Sequence, residues 1–388
     1  MQGIWEEITS INYIREITSA SIGLLVGIFL RSIGSSVRRK AQTVKRHFSV
    51  RDVSRVFENK GIISLDHGDP FYLSQNLITI CSDECFYLSI PDQQLEHLHK
   101  HNKDFVSRKQ SIFNNKDLRE IGDEMGVEQF EALINKHRDL VADAFVKRLA
   151  SGGTLFNGEV FGVRKIISDR SGSEENAKLI ITFYHTDHYT HVVMASLFQD
   201  LKALKHKIGE VKNIMDTNYF PPFTSSFGLN TLLIMVPENA VLMVKRSGLL
   251  RNMNGKDQWH VSMNEALTVT DIDEGIIDFQ RCVCRGLREE LGIKPRDQSG
   301  ITFNKFGDLF FSQEVFEMGL TNIVKIDMTF EEIKSRYSVA KDAELESVEI
   351  QMISMEPQKI REFISNNECT KACQYCLEMM LGRYSELC

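Results

Sequence analysis

Apolar residues recur at spacings of three and four between Val127 and Leu149. Phe130, Leu133, Ile134, Leu140, Val141, Phe145 and Leu149 share one face, and the spacing predicts an amphipathic helix broken by Ser151-Gly152-Gly153. The same period from about His191 to Met215, through Met194, Leu197, Leu201, Leu204, Ile208 and Val211, predicts a second long helix ended by Pro221-Pro222. A shorter one is expected over residues 48–57, opening on Ser49 and carrying Val50, Val53, Val56 and Phe57. Alternating patterns predict strands over residues 160–167 and 178–184, joined by a polar turn at 169–176. Short strands at 62–63 and 77–80 flank the turn Asp66-His67-Gly68-Asp69-Pro70.

Towards the carboxyl terminus strands dominate. They are expected at 232–236 and 241–245 around Pro237-Glu238-Asn239, then at 301–306, 309–311, 323–328 and 348–353. One helix spans 278–291 and stops at Gly292, and another starts at Pro357. Strands interspersed with a few helices imply an α+β layered fold. The expected organisation is a hydrophobic and basic segment (1–47), a mainly helical region (48–150) and a small α/β unit (151–227). A larger α+β domain (228–365) and a C-terminal helix (366–388) follow.

Residues 16–30 form the most apolar stretch, between Arg15 and Arg31. As a helix it spans about 22 Å, short of the roughly 30 Å hydrocarbon core, but extension to Val37 with Arg31 snorkelling makes it long enough. Acidic residues precede it, and Arg38, Arg39, Lys40, Lys45 and Arg46 follow, so an inserted helix would leave the rest in the cytoplasm. Two readings stand: a membrane anchor through residues 16–37, or a hydrophobic helix docked on the protein's own core or in the interface plane. A net charge of -7 argues against binding nucleic acid through charge. Eight irregularly spaced cysteines suggest a reducing compartment. The protein is therefore expected to be cytoplasmic, or held on the inner face of the membrane.

The chemistry concentrates in Arg285-Gly286-Leu287-Arg288-Glu289-Glu290-Leu291-Gly292-Ile293. Two carboxylates in the last turn of a helix oppose its dipole, and a divalent cation would offset that repulsion. Arg285, four residues before Glu289, can hold a carboxylate in position. Taken alone, the run reads more simply as a solvated charged helix end capped by glycine, since charged helix ends are common. In its wider context the run resembles the end of the Nudix box, through Arg285, Leu287, Glu289, Glu290, Gly292 and Ile293. The flanks agree: residues 241–246 (VLMVKR) and Trp259-His260-Val261 resemble the strand, basic residue and tryptophan before the box. Residues 342–357 resemble the closing segment of the domain.

The resemblance implies an α/β/α sandwich with a mixed sheet, Mg²⁺ (or Mn²⁺) as cofactor, and a nucleoside diphosphate-linked ligand. It implies Glu289 and Glu290 as metal ligands and Arg285 as their orienting partner. Glu265 would be a further metal ligand, and Trp259, Ser262, Asn264, Glu265, Lys245 and Arg246 would contact the ligand. The chain departs from the pattern at Gly286, where a catalytic Glu belongs, and in the preceding loop. Glu265, Asp271, Asp273 or Glu274 would have to replace that carboxylate. Glycine costs helix stability by about 1 kcal/mol against alanine, so either close packing or a ligand must use the space. Two functions compete: a metal-dependent diphosphate hydrolase, and a nucleotide-sensing module without turnover. The expected partners are a nucleotide-like small molecule, a membrane in the anchor reading, and a second copy in a homodimer; nucleic acid is not expected.

Other constellations read as structural. Cys369, Cys373 and Cys376 have cluster-like spacing, but too little chain follows for a barrel, and one helix face explains them. Asp187 suits a helix cap, with His188 and His191 as surface histidines beside His185. His97, His99 and His101 have no acidic or thiolate partner nearby in sequence. Cys81 with Cys85, and Cys282 with Cys284, lack zinc-ribbon spacing.

Overall fold

The computed structural model describes residues 53–65, 77–169, 178–246, 257–303, 307–340 and 347–382. The anchor stretch 16–37, the basic segment and the turn at 66–70 lie outside these residues. Among the described residues no helix is long and apolar enough to cross a membrane.

The first half contributes β1 (Ile62–Ser64), β2 (Leu77–Cys85), α1 (Asp92–His101), α2 (Leu118–Met125), α3 (Phe130–Ala150), β3 (Glu159–Asp169), β4 (Lys178–Asp187) and α4 (His188–Ala203). β2, β4 and β3 form a three-stranded sheet in that order, β2 parallel and β3 antiparallel to β4. Local chemistry sets the helix ends. Asp117 accepts from the Glu120 amide in a capping box that opens α2, and Gly126 at φ 65° closes it. Asp187 accepts from the Thr190 amide and opens α4. The helix expected over 191–215 ends at Ala203. Lys205 adopts φ 56°, His206 caps a 3₁₀ turn by accepting from Ile208 N, and Leu204 is 74% exposed. Ile208, Val211 and Ile214 still reach the core, so the apolar period outlasts the helix that it suggested.

The second half contributes β5 (Phe227–Met235), β6 (Ala240–Arg246), β7 (Trp259–His260), β8 (Met263–Ala266), β9 (Ile272–Asp273), β10 (Ile276–Ile277), α5 (Phe279–Glu289) and β11 (Ile301–Phe303). After them come β12 (Leu309–Ser312), β13 (Glu317–Ile326), α6 (Phe330–Tyr337), β14 (Ser347–Ser354), α7 (Pro357–Asn366) and α8 (Lys371–Gly382). The main sheet runs β1-β12-β13-β5-β6-β14, with β11 on β13, β7 on β6 and β8 on β5. The β13–β5 pair is parallel and the others antiparallel. The fold is α+β with a mixed sheet. β1, from the amino-terminal half, closes this distant sheet by pairing with β12.

β5 is buried along its whole length and feeds two cores. Phe227, Leu229, Leu233 and Met235 point to the side of α5 and the first half; Leu232 and Ile234 point to the side of α8. Phe316, in the β12–β13 turn, packs against Phe198, Phe311 and Phe223 at ring distances of 4.8, 4.8 and 5.8 Å and joins the halves. Burying such a ring contributes about 1.5–3 kcal/mol. Cys373 and Cys376 are buried in α8, while Cys369 precedes that helix, bridged to Trp259. The expected common helix face therefore holds for two of the three cysteines.

Candidate functional site

Asp278 opens α5 by accepting from Gln280 N and Arg281 N. The helix closes as expected: Gly292 adopts φ 69°, and Ile293 N donates to Leu287 O at 2.9 Å. This frame aims Arg285 at β8 and at the turn before β9. Its Nη1 donates to Glu265 Oε2 at 2.5 Å, its Nε to Asp271 Oδ1 at 3.1 Å, and its Nη2 to Asp271 Oδ2 at 3.0 Å and Ala266 O at 2.8 Å. Glu289 Oε2 stands 3.7 Å from Nη1. Burial opposes the guanidinium charge, but the Asp271 hydrogen bonds and the Glu265 carboxylate hold it firmly protonated.

Gly286 explains how close α5 sits to β8. A Cβ at that position would lie 2.4 Å from Met263 Sδ and 2.5 Å from Glu265 Cγ. The space released by the missing side chain is thus filled by β8, which decides between the packing and ligand explanations. Of the four carboxylates that could replace the glutamate, Glu265 and Asp271 come to Arg285. Asp273 pairs with Arg281 at 3.0 Å, and Glu274 lies in the β9–β10 turn at φ 48°.

Charge is unevenly distributed here. Burial raises the Glu265 carboxyl against the opposing pull of Arg285 and of a hydrogen bond with Glu290, and Glu289 raises it further. Glu289 is held by Arg288 Nη2 at 2.7 Å and its side chain is 25% exposed. Among the described residues, no group of three or more His, Cys, Asp or Glu is arranged to hold a metal ion. Of the three carboxylates expected to hold magnesium, Glu265 is taken by Arg285 and Glu289 is paired with Arg288.

The remaining predicted residues divide. Trp259 is 5% exposed, with its ring 5.4 Å from that of Phe363, its N donating to Glu368 O and its O accepting from Thr370 N. Ser262 is fully buried and bridges β5 and β6, donating to Leu242 O and accepting from Leu233 N. Both belong to the framework. Lys245 lies 3.8 Å from Glu349 and 5.9 Å from the Trp259 ring.

Asn264 faces away from Glu265 on β8, into a polar patch that the sequence did not reveal. The patch stands over Gly228, where a Cβ would meet Asn264 Oδ1 at 3.0 Å, Glu317 Oε1 at 3.7 Å and Asn230 Nδ2 at 3.8 Å. Gly228 is paired with Gly319 across β5 and β13, and at Gly319 the Phe310 ring and Asn230 fill the place of a Cβ, 2.6 and 2.8 Å from it. Burial raises the Glu317 carboxyl against the Arg246 charge. Burial and the same Arg246 charge hold His260, 3.5 Å from Asn264, well below the usual imidazole range. A glycine pair at matching register was the available signal, but strand pairing is needed to see it.

The His185 to His191 segment also differs from expectation. Asp187 is the cap, but burial pushes both His188 and His191 down to about 4. His188 stacks on Phe145 at 6.0 Å and His191 meets Ser225 Oγ at 3.1 Å, so they are packed residues and not surface ones.

No family model matches the chain, and no curated protein does. Among similar solved structures is a mutT/nudix family protein from Listeria innocua, with 15% identity and TM-score 0.28 over 42% of this chain and 95% of that one. Another is the NUDIX domain of Shewanella oneidensis NrtR complexed with ADP ribose, with 14% identity and TM-score 0.26 over 41% of this chain and 87% of that one. A bifunctional NMN adenylyltransferase/ADP ribose pyrophosphatase from Francisella tularensis, complexed with AMP and Mn ion, has 12% identity and TM-score 0.29 over 79% of this chain and 89% of that one. At these scores the likeness carries no weight by itself, and the site is read from its own geometry.

Proposed function

We propose that residues 228–365 form a Nudix-type domain that binds a nucleoside diphosphate-linked ligand and turns it over slowly or not at all. The observation that carries this reading is the Arg285 cluster. Its guanidinium already neutralises Glu265 and Asp271, the two carboxylates available to replace the one missing at 286. Glu265 is committed to the Arg285 guanidinium, so it is a poor base for activating water. Glu289 and Glu290 are the donors left for a magnesium or manganese ion. Two carboxylates completed by ligand phosphates are a common way to hold magnesium, and the ion would supply neutralisation of the diphosphate charge. Asn264, Asn230 and Glu317 beside Gly228 offer hydrogen bonds to a polar ligand, with the Arg246 charge nearby.

The competing reading, a working hydrolase, is favoured by one feature. The hydrogen bond between Glu265 and Glu290 is one that an incoming divalent cation can displace, freeing both carboxyl groups. Calorimetric titration and a hydrolysis assay separate the two, using the full chain, a panel of nucleoside diphosphate derivatives that includes ADP-ribose, and Mg²⁺ or Mn²⁺. The binding reading predicts saturable heat that Glu290→Gln and Asn264→Ala both weaken, with no product beyond the Glu290→Gln background. Metal-dependent product that disappears in Glu290→Gln would establish the hydrolase instead. Neither heat nor product would overturn both.

A further inference from the structure

The three-stranded sheet of the first half brings a thiol, an imidazole and a carboxylate into line. Cys81 Sγ lies 3.6 Å from His185 Nε2, and His185 Nδ1 lies 2.9 Å from Glu159 Oε1. Strand register makes this arrangement. Cys81 pairs with Phe183 and Phe161 with His185, and the ladder between β2 and β4 is irregular between Cys81 and Cys85. The Phe161 ring, 5.0 Å from the imidazole, backs it.

Glu159 also accepts from Tyr87 Oη at 2.8 Å and from Arg108 Nη2 at 3.3 Å. Burial works against its charge, but the hydrogen bonds from Tyr87 and His185 and the Arg108 charge outweigh it and hold the carboxyl below its ordinary range. An ionised carboxylate only accepts, so the imidazole proton sits on Nδ1 and the Nε2 lone pair faces the thiol. The His185 and Glu159 side chains are 22% and 24% exposed, and Cys81 is half-buried, so a reagent can approach from solvent.

We propose that Cys81, His185 and Glu159 form a thiol-nucleophile site that accepts an acyl group from an activated ester. As Sγ bonds to the carbonyl carbon, the thiol proton passes to His185 Nε2. The ester C–O bond then breaks and the leaving alkoxide takes that proton, leaving a thioester on Cys81 and a free alcohol. Cys81 and His185 are the catalytic residues, and Glu159 positions the imidazole. The thiol is pushed up by burial and by Asp83, Cys85 and Glu159, so it rests protonated and a base is needed at the moment of attack.

The test treats the full chain with p-nitrophenyl acetate, follows p-nitrophenolate release and maps the acetylated cysteines by mass spectrometry. Cys85 and Cys284, half-buried in the same chain, are internal references, and buried Cys376 reports unfolding. Cys81 is expected to acetylate about a hundred-fold faster than the references, the lower end of what a positioned base contributes. His185→Ala should remove that advantage and added imidazole should restore it. Glu159→Gln should lower the Cys81 rate, and Glu159→Asp should recover part of it. Acetylation of wild-type Cys81 no faster than that of Cys284 would overturn the proposal. So would a His185→Ala or His185→Gln protein that keeps the fast rate while Cys376 stays unlabelled.

Discussion

At Arg285 one guanidinium gathers Glu265, Asp271 and Glu289, whereas at Glu159 one carboxylate gathers Tyr87, His185 and Arg108. The two clusters have opposite charge at the centre, and they leave different things unspent. Around Arg285 all three guanidinium nitrogens donate to protein oxygen, and Glu289 lies at the rim. Around Glu159 a two-sided ring sits at the rim, so fixing one nitrogen frees the other to face Cys81. A half-buried centre of one charge therefore locks a site when its ligands have one working end. It primes a site when one ligand has two.

The largest predicted effect comes from removing the cation. Arg285→Met leaves Glu265 and the 1%-exposed Asp271 without their partner, and should cost about 3–5 kcal/mol, read as a fall in the denaturant midpoint. A loss below about 1 kcal/mol would mean that the cluster is no lock. Adding at 286 the carboxylate that the Nudix pattern carries comes next. Gly286→Glu must displace Met263 and Glu265, and overpacking of this kind costs about 1–3 kcal/mol, partly offset by about 1 kcal/mol of recovered helix propensity. Melting curves should show lower stability and no new hydrolysis; a stable, active variant would undo the packing argument.

The two halves of the molecule should also part in acid. His188 and His191 sit at about 4 in the fold against an ordinary 6.5, so the native state binds fewer protons between those values. Their contribution to stability is therefore lost as pH falls from about 6.5 towards 4. Glu265 has the opposite sign: its raised carboxyl favours the fold at low pH, and that contribution declines as pH rises through its folded value. Midpoints measured at pH 7 and pH 5 should fall on acidification in the wild type and fall less in a His188→Asn, His191→Asn double variant. The smallest effect is expected at the rim, where Arg281→Ala breaks an exposed pair with Asp273 and should change stability by less than about 1 kcal/mol.

What the sequence revealed was local. The end of α5 at Gly292 and the Arg285–Glu289 pair follow from spacing along one helix, and β6 from a short apolar run. Contacts set by pairing between distant segments were hidden. Asp271 reaches Arg285 from a turn that the period of α5 says nothing about. Gly286 looked like a lost catalytic group, and only the approach of β8 shows that it is a close-packing position. β1 joins a sheet whose other strands begin at Phe227, which no pattern around Ile62 indicates. Cys81, Glu159 and His185 lie on three strands, and neither cysteine spacing nor histidine clustering connects them. The end of α4 was missed for a different reason, because buried residues beyond Ala203 kept the helical period going.

The central claim is that Arg285 takes the place of a bound cation in the ligand-free C-terminal site. It is tested most directly by following thermal unfolding of the full chain with and without millimolar Mg²⁺ or Mn²⁺, in the absence of nucleotide. The account predicts no shift in Tm for the wild type, and the same result for Glu290→Gln. A metal-induced rise of several degrees that disappears in Glu290→Gln would show an assembled metal site and contradict it.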